Sequence, residues 1–175
     1  MSAWPPATVR SRLVDLHEAV ESLQTLPKDS PGNRQTALAR YLTVRSAGYL
    51  EAVRDDVAGF FVERISVDLV TKRIRSGLGS GQGVTPKQLV DFVASFHTPW
   101  GVELSNLLNE DDGLLGNRLG ALVASRKKIA HGDGDSVTSK RALEWASTAE
   151  VVGAWIVKRF DPARDFYKPV VHNPS

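Results

Sequence analysis

Leu114-Leu115-Gly116-Asn117-Arg118-Leu119-Gly120-Ala121-Leu122-Val123-Ala124-Ser125-Arg126-Lys127-Lys128-Ile129-Ala130-His131-Gly132 reads as a helix that is apolar along most of its length and stops abruptly. The Asn109-Glu110-Asp111-Asp112-Gly113 cluster before it is turn-forming, which sets its start near 114. Gly132 suits the left-handed residue that ends many helices, which sets its end near 130 and leaves His131 on the last turn or just beyond it. The segments on both sides repeat the pattern of apolar helical periodicity cut by turn residues.

Towards the N-terminus, Val9, Leu13, Leu16, Val20 and Leu23 step by three and four, one stripe of an amphipathic helix that Pro27 must stop. After the turn-forming residues 27 to 33, Leu38, Leu42, Tyr49, Leu50, Val53, Val57 and Phe60 predict a second long helix over 33 to 64. A third helical piece is expected over 67 to 75, ahead of a glycine-rich loop at 76 to 83. Thr85 then reads as an N-cap, Pro86 as the first helical residue and Gln88 as the reciprocal partner of a capping box, with Leu89, Phe92, Val93 and Phe96 on the buried face. Pro99 breaks that helix, and a short one is expected over 100 to 108. Thr138 can cap a last helix over 142 to 157, apolar enough around its circumference to sit in the core, before Asp161-Pro162 ends it. No stretch alternates apolar and polar residues between turns, so the fold class is all-α. One domain is expected over 1 to 163, with 164 to 175 as a tail.

Composition narrows the chemistry. The chain has no cysteine, which removes disulfides, thiolate zinc sites and cysteine nucleophiles and fits a reducing, cytoplasmic setting. Its first residues lack a basic segment followed by an apolar run, and its most apolar late segment, 149 to 157, is far shorter than the roughly 20 residues a bilayer span needs, so no membrane partner is expected. Twenty-two Lys and Arg against 20 Asp and Glu give a net charge of +2, which permits nucleic-acid contact without arguing for it. The glycine-rich loop lacks the Lys-Ser/Thr ending of a phosphate-binding loop and follows no strand. His131-Gly132-Asp133-Gly134-Asp135 offers too few ligands for a cation, so neither metal nor cofactor is expected.

Arg126 and His131 are the candidate catalytic pair. A guanidinium stays charged and can hold phosphate oxygens through two parallel hydrogen bonds, stabilising charge that builds during phosphoryl transfer. An imidazole, with an unperturbed pKa of about 6.5, can take the proton of an RNA 2′-hydroxyl or protonate the departing 5′-oxygen. Residues five apart point about 140° away from each other on an ideal helix. Cooperation therefore needs either the helix end, where His131 can swing, or a second copy that brings two motifs together. The same residues also suit a surface cation and a histidine that finishes a helix C-terminus.

The Arg-x4-His motif, with Ile129-Ala130-His131-Gly132 and the apolar helices around it, resembles the signature of HEPN domains. The resemblance reaches upstream to Ala39-Arg40-Tyr41-Leu42-Thr43-Val44-Arg45-Ser46-Ala47-Gly48-Tyr49-Leu50-Glu51, which looks like the long second helix of the RiboL-PSP-type HEPN subgroup, so it covers most of the chain. It implies a bundle of long antiparallel helices with short accessory ones. It further implies a metal-independent endoribonuclease of bacterial defence or a toxin, with RNA as substrate, a homodimer whose motif helices form one composite cleft, and an antitoxin or regulatory protein as a further partner. The family also contains inactive versions that bind RNA or a protein. Arg126 and His131 would be catalytic, and Lys127, Lys128 and Arg45 would bind substrate, with Tyr49 and Glu51 as further supports on the second helix. Lys127 stands where the family's ribonucleases often have Asn, and unlike an Asn carbonyl it cannot accept a hydrogen bond. His17, His97 and His172 read as structural or exposed, and Trp100, Trp145 and Trp155 as filling the core or a dimer interface.

Overall fold

Val9, Leu16, Ala19 and Leu23 are buried along one stripe, and α1 (Ala7–Gln24) forms where that periodicity puts it, ending ahead of Pro27. The computed structural model describes residues 4–27, 29–65, 83–132 and 136–163. The helix expected over 67 to 75, most of the glycine-rich loop, Asp133 to Asp135 and the tail from 164 lie outside the described residues.

The long second helix is present as three consecutive pieces: α2 (Gly32–Ala52), a π-helical turn (Val53–Val57) and α3 (Ala58–Ile65). The backbone stays in the right-handed helical region across both joints, at Ala52, Val53 and Ala58. What differs from the predicted regular helix is the turn at 53–57, where bonds run from i to i+5 and one extra residue is taken up. Val53 and Val57 keep a four-residue spacing, so the apolar pattern gives no sign of it.

α4 (Pro86–Phe96) starts as its sequence dictates. The Thr85 hydroxyl accepts from the Gln88 N–H at 3.3 Å, and the Gln88 side-chain oxygen accepts from the Thr85 N–H at 3.2 Å. His97, in extended backbone, separates it from α5 (Thr98–Ala130). Inside α5 the chain leaves the helix at Glu110 and turns left-handed at Asp111, Asp112 and Gly113, with φ of 49°, 56° and 74°. Asp and Gly tolerate that region better than most residues, so the acidic cluster breaks α5 into limbs 98–109 and 114–130.

Thr138 caps α6 (Ser139–Arg159), its hydroxyl accepting from the Arg141 N–H at 3.3 Å. α6 is less enclosed than its composition suggests. Ala142, Trp145, Ala146, Ala149, Val152 and Ile156 are buried, while Val151 is 46% exposed and Ala154 is also exposed. One face therefore meets the core and the other meets solvent.

The core lies where α2, the π turn and α6 meet, sealed by α1 on one flank and by α4 and α5 on the other. At one end Phe160 is fully buried, its ring centroid 5.2 Å from Phe96 and Trp100 and 5.3 Å from Phe61 in edge-on contacts. Trp145 is buried and Trp155 half-buried. Among the described residues there is no strand, and the fold is all-α. None of their helices is long and apolar enough to cross a membrane.

A Cβ at Gly153 would stand 2.5 Å from the Tyr49 ring, which packing holds in place. Gly153→Ala should therefore destabilise by about 1–3 kcal/mol through overpacking, against the roughly 1 kcal/mol that Ala normally adds in a helix interior. Gly48→Ala, where a Cβ meets nothing within 4 Å, should show that gain; urea denaturation of both variants checks the contrast. Tyr49 itself is 2% exposed, and burial, then the neighbouring Glu150 charge, push its hydroxyl up to about 12. The folded state thus favours the neutral phenol. The resulting stability is fully present below pH 10 and is lost as pH rises towards 12, about 3 kcal/mol in all. Tyr49→Phe should lack that alkaline loss when stability is compared between pH 9 and 12.

Candidate functional site

The 114–130 limb of α5 buries Leu119, Leu122 and Ser125 against the bundle. Arg126, the next position, lies at the border of that buried face and is half-exposed. The limb ends on a bifurcated hydrogen bond, the His131 N–H donating to the carbonyls of Lys127 and Lys128, both at 3.1 Å. Gly132 follows at φ +76°, the left-handed residue that its sequence position predicts. Lys127 and Lys128 are exposed on this last turn, where cations complement the helix dipole. His131 is exposed just after them.

Arg126 opens onto a groove of about 490 Å³. Its floor is the outward face of α2: Val44, Arg45, Gly48, Glu51 and Ala52 recur at three- and four-residue spacing, opposite the buried Leu42, Ser46 and Leu50. α1 forms one wall with Thr8, Arg12 and Asp15, and the motif limb forms the other with Arg126. The π turn closes one end with Asp55 and Asp56. Arg54, between the turn's apolar residues, points inward and is only 5% exposed. Its guanidinium meets both Asp55 oxygens, at 2.7 and 2.9 Å, and donates to the Gly83 carbonyl at 3.1 Å.

Two ion pairs join the floor to the walls. Arg126 reaches Glu51 at 3.5 Å, and Arg45 reaches Asp15 at 3.2 Å while its Nε donates to the Tyr41 hydroxyl at 2.9 Å. Both pairs are open to solvent, where such contacts contribute about 0–1 kcal/mol each. An anionic ligand can therefore recruit these guanidinium groups without a large loss of fold stability. Each guanidinium has five N–H donors in a fixed fork, so one carboxylate does not exhaust it.

Of the residues picked out in the sequence, the structure brings Arg126, Arg45 and Glu51 to this one groove. Lys127, Lys128 and His131 are not among its lining residues. Tyr49 packs on Gly153 of α6 and is a core residue, on the apolar stripe that its spacing from Leu42 and Val53 predicts, and it does not line the groove. Arg12, Asp15, Asp55 and Asp56 were not anticipated. The signal available for the first two was a polar stripe, Thr8, Arg12 and Asp15, running at helical spacing beside the apolar one. His17 is exposed and pairs with Glu150 at 3.2 Å, and His97 is exposed with its ring 5.2 Å from that of Trp100. No match to this chain is found among protein-family models, curated proteins or solved structures.

Proposed function

We propose that the protein is a HEPN-type, metal-independent endoribonuclease acting as a homodimer in the cytoplasm, in a defence or toxin setting. The observation that carries this reading is the placement of Arg126 at an open groove beside Arg45, with His131 exposed at the end of the same helix. Arg126 would hold the scissile phosphate and offset the charge that builds on its oxygens. His131 would take the proton of the 2′-hydroxyl as its oxygen attacks phosphorus. The bond to the 5′-oxygen then breaks, leaving a 2′,3′-cyclic phosphate and a 5′-hydroxyl that regains a proton. Within one chain Arg126 and His131 do not share the groove, and a second motif helix facing the first would supply the missing imidazole.

A second reading has its own support. Arg126 is paired with Glu51 and His131 lies outside the groove lining, which also suits a non-catalytic HEPN module that holds RNA or a protein partner. Incubation of the wild type, Arg126→Ala and His131→Ala with end-labelled mixed RNA in excess chelator separates the two. Catalysis predicts wild-type fragments ending in cyclic phosphate, reduced about a hundredfold or more in either variant, with circular dichroism unchanged. Retention of RNA without fragments would select the binding module, and equal cutting by all three proteins would refute the assignment of Arg126 and His131.

A further inference from the structure

Three of the large apolar side chains left most exposed among the described residues, Val102 (57%), Leu114 (46%) and Val151 (46%), border the seam between α5 and α6. The 98–109 limb of α5 runs antiparallel to α6 there. Glu103 forms an ion pair with Arg159 towards one end, and Glu110, Asp111 and Leu114 share a groove of about 290 Å³ with Ser147 and Val151 towards the other. α6 turns Ala149, Val152 and Ile156 inward to the core it shares with α2, and leaves Ser147, Val151, Ala154 and Lys158 exposed on its outer side. The seam therefore lies on the far side of α6 from the α2 groove. We infer that this face binds a second copy of the chain about a two-fold axis, forming an interface separate from any pairing of motif helices.

The occupant follows from the order of groups along the face. Ser147, Val151, Ala154 and Lys158 are spaced by four, three and four, so the exposed stripe is symmetric about a point between 151 and 154. A two-fold axis through that point sets Val151 of each copy on Ala154 of the other, and Lys158 of each on Ser147 of the other. Ser147 stands beside Glu110 and Asp111, both exposed and without an ion pair among the described residues. Within one chain Lys158 lies about 16 Å along α6 from Ser147, too far to neutralise them. The two-fold brings it there: the acidic end of each copy meets the basic end of the other, with the apolar residues between. Because the limb follows α6 in the opposite direction, the same rotation lays Val102 of one copy over Leu114 of the other. Sliding the pair by one turn would take Lys158 away from both carboxylates, so charge sets the register. The motif helices stay free on the other side, and the two interfaces together would hold four copies.

The test is the native mass of the full chain, by size exclusion with light scattering between about 1 and 100 μM. The expected result is four chains for the wild type and two for Val151→Asp, which puts a carboxylate at the centre of the interface and should weaken it about a hundredfold or more, with circular dichroism unchanged. Lys158→Glu should weaken the association about tenfold, and adding Glu110→Lys to it should recover the wild-type mass. A wild-type dimer that Val151→Asp turns into a monomer would keep this interface and remove the motif-facing pair. A dimer whose mass Val151→Asp leaves unchanged would overturn the inference and leave the motif-facing pair standing. Failure of Glu110→Lys to restore Lys158→Glu would overturn the two-fold register. A wild type that stays monomeric throughout would remove both interfaces.

Discussion

The contact between Tyr49 and Gly153 decides how the outer surface of α2 is used. With no side chain at 153, the phenol ring lies against the α6 backbone, at a distance where a Cβ would be 2.5 Å from Cε1 and 2.8 Å from the hydroxyl oxygen. Leu42, Leu50 and Val53 are then buried on the same side, with Ala149, Val152 and Ile156 of α6. Apolar burial of this kind, about 1.5–3 kcal/mol per large side chain, is the main term holding the two helices together. Since one face of α2 is committed to α6, positions 44, 45, 48, 51 and 52 must face outward. α1 and the motif limb flank that outward face, and the groove is the space left between them.

The π turn adds a second constraint. A guanidinium 5% exposed is costly to bury unless its donors are met, and Arg54 meets this with two bonds to Asp55 and one to Gly83. The cluster joins the end of α2 to the residues just before the Thr85 cap, so the start of α4 is tied to the acidic end of the groove. Asp55 belongs to both structures: its oxygens neutralise Arg54 on the inner side, while the residue lines the groove on the outer side. An i to i+5 turn is the local device that takes up the extra residue here, and such turns are frequent where a helix serves a site.

Boundaries were legible in the sequence wherever a residue has one dominant physical role. Pro27, the Thr85-Pro86-x-Gln88 box, the acidic cluster at 109–113, Thr138 and Gly132 each act through their own backbone or cap geometry, and each ends or begins a helix as expected. The groove was only half legible. Arg126 and Arg45 stood out by type and spacing, but Arg12, Asp15 and Asp56 look in sequence like the solvent-facing side of any amphipathic helix. Their meeting depends on how three helices are set side by side, which no single helix encodes. Tyr49 carried two signals: its type suggested a supporting polar role, while its spacing from Leu42 and Val53 put it on the buried stripe where it lies.

Under the proposed chemistry the end of the motif helix poses the sharpest geometric demand. A general base has to come within about 3 Å of the proton it takes. Arg126 belongs to a regular helix, and the His131 backbone is fixed by bonds to two carbonyls one turn back. Swinging His131 to the Arg126 side would therefore unwind the last turn and release the left-handed stop at Gly132. An imidazole arriving from a facing motif helix needs no such unwinding.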